Sequence, residues 1–208
     1  KGVGGSGAIN ALVYARGLPR DFDDWAAAGA TDWGWDRVQS TYEAMETQVS
    51  ADGTRQGTGR MQVQDVSDQI HPANRHFFAA AKEMGLPVTD NINGVQSEGA
   101  AVYRINTSGG RRMHSARAFL APALKRQNVT LMTHARVERI VFQGWRATAV
   151  QLRHRGRSVT LQAGREIILS AGSVDSPRIL QLSGIGPTQT LQRFGITTLV
   201  NAPHVGGN

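Results

Sequence analysis

The sequence predicts a mixed α/β (α+β) fold, and three observations carry that prediction. From Val129 to Leu161 apolar and polar residues alternate in short runs punctuated by Gly144 and Gly156, the habit of an antiparallel β-meander. The run Ile167, Ile168 and Leu169 is unbroken, as expected of a central strand buried on both faces. It stops at Ser170, Ala171 and Gly172, and a helix from about Pro177 to Ser183 follows. Residues as small as Ala171 and Gly172 at a strand end let a bulky ligand approach the backbone closely.

Composition sets the outer limits. The chain has 208 residues, 40% hydrophobic and 19% charged, enough for one substantial core or two small ones. No apolar run reaches membrane-spanning length, and the start carries no signal-peptide pattern. Without cysteine, the chain has no disulfides, thiolate metal sites or cysteine nucleophiles, and its compartment is left open. The net charge is +7, and arginine supplies 20 of the 23 basic residues. They are scattered, with small groups at Arg111–Arg112 and around Gly156, and no aromatic-and-basic platform adjoins them. Nucleic acid is therefore not an expected partner.

The chain opens on KGVGGSGAIN, where Gly2, Gly4, Gly5 and Gly7 permit positive φ and leave backbone N–H groups free to face an anion. Ala8–Tyr14 is expected to begin a helix there, whose N-terminus favours a phosphate or an electron-rich ring; a flexible terminal loop is the competing reading. Trp25, Trp33 and Trp35 follow, with Asp36 and Gln39 resembling a capping box. Val38, Tyr42 and Met45 then share one helical face. A packed aromatic helix explains this stretch better than an aromatic substrate wall.

Residues 50–59 read as a polar loop, and Met61, Val63 and Val66 as a strand. Pro72–Met84 is a helix closed by Gly85, with Ala73, Phe77, Ala81 and Met84 on its apolar face. His71 and His76 lack i,i+4 spacing and a third ligand, so no metal site is expected. Asn93–Gly94 marks a turn, Ala101–Ile105 a strand, and Ser108–Gly109–Gly110 another turn. Arg111, Arg112 and His114 are either catalytic cations or a charged loop before a helix capped by Ser115; base rates for surface loops favour the second. After the central run, a short helix at Leu191–Phe194 and a strand at Ile196–Val200 complete the pattern.

Two long stretches resemble one family. Gly172–Gly186, GSVDSPRILQLSGIG, is similar to the second signature of the glucose–methanol–choline flavin oxidoreductases, and Lys1–Trp25 to the first. The resemblance implies an FAD-binding domain containing the meander and the buried strand, plus part of a substrate domain. It divides the chain into 1–59, an FAD-proximal loop with covering helices; 60–115, part of the substrate domain; and 116–208, part of the FAD domain. It implies Gly4, Gly5, Ser6, Asn10, Ala11 and Val13 as cofactor contacts, with Val137, Ala171 and Gly172 further along. Some relatives tether flavin through a histidine of the first loop. Ile9 stands at that place and has no nucleophilic atom, so the FAD is expected to be non-covalent.

The family's opening GxGxxG unit and its C-terminal histidine base have no counterpart in these residues. The chain therefore reads as an internal fragment with no catalytic residue of its own, expected to be inactive alone. The parent would be an FAD-dependent oxidoreductase acting on small-molecule alcohols, choline or other primary alcohols, by hydride transfer to the flavin. The electron acceptor is not specified by the resemblance. A non-catalytic FAD- or nucleotide-binding remnant that needs a complementary chain is the other reading.

Overall fold

The computed structural model describes residues 2–94 and 98–207. They form two compact units, Lys1–Val129 and Thr130–Asn208.

In the first unit, a 3₁₀ turn at Gly5–Ala8 leads into extended chain rather than the helix expected over Ala8–Tyr14. The reason is pairing. Tyr14 N–H donates to Arg104 O at 2.9 Å and Asn106 N–H to Leu12 O at 2.9 Å, which holds residues 12–14 as an added strand. Helix α1, Pro19–Ala27, starts on a proline that needs no N–H partner, and Asp21 accepts the Leu18 N–H at 2.8 Å. Helix α2, Trp35–Met45, starts one residue before Asp36, after Gly34. The expected Asp36–Gln39 capping box therefore does not form, and Gln39 instead donates to Glu43 within the helix at 2.8 Å. Phe22 is the buried hub of the aromatic packing, 5.4 Å from Trp25 and 5.7 Å from Trp35 between ring centres.

Helix α2 runs straight into β1, Glu46–Val49. Strand β1 pairs antiparallel with β2, Arg55–Gln56, and parallel with β3, Met61–Gln64. So the polar 50–59 loop is a hairpin carrying a short strand. Helix α3, Asn74–Glu83, ends at Gly85 with φ 77°, as its sequence predicts. Its Phe77 and Met84 stay exposed and only Ala81 is buried. The strand expected at Ala101–Ile105 is reduced to single bridges, with Ile105 lying between Gln64 and Val13. A tight hairpin joins β4, Thr107–Ser108, to β5, Arg111–Arg112, through Gly109 and Gly110, both at positive φ. A wide helical turn at Ala116–Leu120 continues into α4, Ala121–Ala123. Ser115 does not cap it; its hydroxyl faces Gly4 O at 3.4 Å.

The second unit is built on the expected meander: β6, Ala135–Gln143; β7, Arg146–His154; β8, Arg157–Gln162. Gly144 and Gly156 turn the chain at φ 58° and 83°. Residues 129–131 do not join the sheet. Helix α5, Gly172–Leu182, packs on β6 through buried Ile140 and Ile179. Its Ser183 hydroxyl accepts the Ile140 N–H at 2.8 Å and donates to Ile179 O at 2.6 Å. The helix begins five residues before the expected Pro177, which lies inside it. Ser176 is thus not the N-cap residue, although its Oγ accepts the Ala171 N–H at 3.0 Å.

Gly184, at φ 89°, closes α5 where its sequence predicts; a Cβ there would lie 2.7 Å from Thr197 O. Strand β9, Ile185–Gly186, then pairs in parallel with β10, Val200–Asn201, across α6, Thr188–Arg193, with Leu191 buried between. Of the strand expected over Ile196–Val200 only the last residue is in register.

The central buried strand is the main correction. Residues 166–170 are irregular, and Ile168 is 78% exposed. An apolar run becomes a strand only when a neighbouring strand takes its N–H and C=O groups. No described segment pairs with Ile167–Leu169. Among the described residues, no helix is long and apolar enough to cross a membrane.

Candidate functional site

The glycine-rich opening is a shaped loop. Gly4 sits at φ 101° and Gly5 at φ 60°, conformations that L side chains rarely adopt. Gly4 is also required by packing: a Cβ there would lie 2.6 Å from His114 Nδ1. Ser6 O accepts the N–H groups of Ile9 at 3.0 Å and Asn10 at 2.8 Å, which closes the turn and lifts Ile9 into the open, 85% exposed.

Asn10 is held by two donors at one atom. Its Oδ1 accepts the Leu12 N–H at 3.1 Å and Arg112 Nη1 at 2.7 Å. Arg112 Nη1 also reaches Gly7 O at 3.2 Å. Leu12 takes φ 70° to close the Asn10 turn. Both groups can only donate, so the amide oxygen must face them and Nδ2 turns outward. Ala11 and Val13 are exposed beside it. Val13 opposes Ile105, but the ladder bonds are made by Leu12 and Tyr14. The N–H and C=O of Val13 therefore point to the other, outer edge. The loop thus offers an outward amide donor followed by an unpaired backbone edge.

The chain just beyond is anchored by a buried carboxylate. Glu46, 2% exposed, accepts Arg16 Nε at 3.1 Å, Arg16 Nη2 at 2.6 Å, Gln48 Nε2 at 2.6 Å and the Tyr14 hydroxyl. The Arg16 guanidinium also lies 5.2 Å over the Tyr42 ring. Asn93 clips the same stretch, accepting Arg16 N–H at 2.7 Å and donating to Tyr14 O at 3.1 Å. Burial pushes the Tyr14 hydroxyl pKa above the usual phenol range, and its bond to Glu46 pushes it further. Burial alone would lower the Arg16 pKa; the bond and charge of Glu46 outweigh it and the net direction is upward. A cavity of about 420 Å³ beside this network is lined by Arg16, Glu46, Gln48, Asn91 and Asn93.

In the second unit, Val137 lies on β6, the edge strand of the meander. It opposes Leu152, while the next pair is Arg139 with Gln151, so Glu138 is an extra, bulged residue. Such a bulge bends the strand beside Val137. Ala171 and Gly172 form the start of α5, with Gly172 at φ 90° and open space where a Cβ would be. Val174, in the first turn, is 78% exposed. Positive φ is thus what requires glycine at 172 from within the unit.

Six of the nine residues singled out from sequence, Gly4, Gly5, Ser6, Asn10, Ala11 and Val13, fall on one short stretch of the first unit, all of them exposed except the half-buried Gly4. The other three lie in the second, two of them adjacent. Sequence reading missed Arg16, Glu46 and Asn93. A signal was available: Tyr14 and Arg16 alternate with small residues on an extended segment, and Glu46 alternates with Gln48. It also left Arg112 and His114 in a charged loop, whereas both return to the glycine-rich segment.

The family model described as GMC oxidoreductase matches residues 1–208. An oxygen-dependent choline dehydrogenase of Rhizobium johnstonii is 39% identical over 209 residues, spanning 100% of this chain and 38% of that protein. Pyridoxine 4-oxidase from Mesorbium loti superposes with a TM-score of 0.87 at 32% identity, over 95% of this chain and 39% of that one. An FAD-dependent oxidoreductase from Chaetomium thermophilum superposes with a TM-score of 0.87 at 26% identity, over 95% and 37%. The chain therefore spans about two fifths of the length of the relatives it matches.

Proposed function

The chain belongs to the GMC oxidoreductase family, and on that premise we propose that its exposed loop belongs to the FAD site of an oxidoreductase acting on the CH–OH group of alcohols. The single observation that carries this is the Gly4–Val13 stretch. A ring with an electron-rich edge needs close backbone approach, an outward donor and free peptide groups in line. Gly4 and Gly5 supply the first, Asn10 Nδ2 the second and Val13 the third.

In this reading Gly4, Gly5, Ser6, Asn10, Ala11 and Val13 are the FAD contacts of the first unit, and Val137, Ala171 and Gly172 are the FAD contacts that the family resemblance implies in the second. Residues 1–59 are the FAD-proximal loop and its covering helices, 60–115 part of the substrate domain and 116–208 part of the FAD domain. FAD supplies the hydride-accepting chemistry when bound. The chain's own part is to orient and shield. Asn10 places a donor, Ser6 and Arg112 keep the loop in shape, and the Glu46 network fixes the strand that follows. Ile9 offers only hydrocarbon, so the cofactor is held without a covalent bond. None of the six histidines is assigned a proton-transfer role. The alcohol is choline or another small primary alcohol, in keeping with the choline dehydrogenase relatives.

The test is spectroscopic. The native full chain carrying this sequence is purified, its visible spectrum recorded, and the protein precipitated with acid. The expected result is a flavin spectrum, with FAD released to the supernatant and bleaching of the bound flavin by choline or a simple primary alcohol. Flavin left in the pellet contradicts the non-covalent assignment. Bound FAD that no alcohol bleaches favours a binding module without catalysis, and a colourless protein that takes up no FAD rejects the reading.

A further inference from the structure

The geometry points to a positioning role for Arg112: we propose that it fixes the Asn10 carboxamide so that Nδ2, and not the oxygen, faces the flavin. The inference rests on the FAD reading of the Gly4–Val13 stretch. An asparagine amide is nearly symmetric in shape but opposite in chemistry at its two ends. Which end faces a ligand is decided by what the other end meets. Here the inner end meets Arg112 Nη1 at 2.7 Å and the Leu12 N–H at 3.1 Å. Turning the amide over would set its NH₂ against two donors, one of them charged. Leu12 alone is a short-range turn contact; Arg112 adds the charge-assisted bond, the stronger kind.

Arg112 is itself well placed to act as a fixed arm. It belongs to β5, opposite Thr107 in the hairpin, and its carbonyl accepts Arg117 Nη1 at 3.3 Å. The same Nη1 that orients Asn10 holds Gly7 O at 3.2 Å, so one guanidinium sets both the loop and the amide. The pyrimidine edge of a flavin carries two carbonyl oxygens and N1 as acceptors, beside the single N3–H donor. An amide locked with its donor outward recognises that edge, and an amide free to flip does so only part of the time.

The test is a double-mutant cycle on FAD affinity in the native full chain, stripped of flavin and titrated with FAD by fluorescence quenching. Arg112→Gln is expected to weaken FAD binding about tenfold, the size of one lost charge-assisted bond. It is also expected to shift the visible flavin spectrum. In an Asn10→Ala background the same replacement is expected to weaken binding by about threefold at most, because its action through Asn10 is gone and only its bond to Gly7 O remains to be lost. Losses that simply multiply, or an Arg112→Gln variant with wild-type affinity, overturn the proposal. If Arg112→Gln does not fold, Arg112→Lys carries the cycle. It keeps the charge and a donor, so its smaller loss must likewise shrink when residue 10 is alanine. A wild-type chain that binds no FAD rejects the underlying FAD reading instead.

Discussion

Arg16 and Glu46 form a two-point ion pair, Nη2 to Oε2 at 2.6 Å and Nε to Oε1 at 3.1 Å, that ties the end of the N-terminal loop to the first residue of β1. The carboxylate is almost wholly removed from water, so its partners are what make its charge tolerable there. Replacing Glu46 by Gln leaves Arg16 and the Tyr14 hydroxyl without an anion. The expected loss is about 3 kcal/mol of unfolding free energy, read from urea denaturation. A loss below about 1 kcal/mol would mean the pair is marginal.

The same network sets a pH dependence. The Tyr14 pKa is raised in the folded chain, first by burial and then by Glu46. The folded state therefore keeps the phenol proton above the pH at which the unfolded chain releases it, near 10. The associated stability is complete below that pH and is lost as pH rises beyond it. Unfolding free energy measured from pH 8 to 12 should fall at the alkaline end, and Tyr14→Phe should flatten the fall. An unchanged slope in Tyr14→Phe would assign the alkaline loss elsewhere.

Glycines separate two kinds of constraint. A Cβ on Gly59 would collide with the backbone of Met45 and Glu46, where α2 becomes β1, whereas a Cβ on Gly144 would meet nothing. Gly144 is glycine for its φ of 58° alone. Gly59→Ala is therefore expected to cost about 3 kcal/mol or more, and Gly144→Ala about 1–2 kcal/mol. Thermal unfolding of the two variants side by side reads the difference. Equal costs would contradict the close approach at Gly59.

What was legible in the sequence was local. The meander, its turns at Gly144 and Gly156, and the helix stops at Gly85 and Gly184 follow from patterns a few residues long, and all four glycines take positive φ. Helix α5 was legible at its end and not at its start, because Pro177 is a good first residue and also survives inside the helix. The exposure of Ile168 in the Ile167–Leu169 run was not legible, since an apolar run reads as buried and becomes a strand only beside partner strands, which no described residue supplies. The loop's residues could be named from the resemblance, but not its orientation. That is set by Arg112 acting on Asn10 across 102 positions, a distance no periodicity reports.

The claim on which the rest depends is that Asn10 presents a donor to bound FAD, and Asn10→Asp tests it most directly. Aspartate keeps the shape and can still accept from Leu12 and Arg112, so the loop and the thermal midpoint should hold. Only the outward group changes, from a donor to an anionic acceptor. FAD titration of the native full chain should show affinity weakened about tenfold to a hundredfold, the range for a lost and then opposed hydrogen bond. Wild-type affinity in Asn10→Asp, with an unchanged melting temperature, would contradict the assignment of this loop to the cofactor.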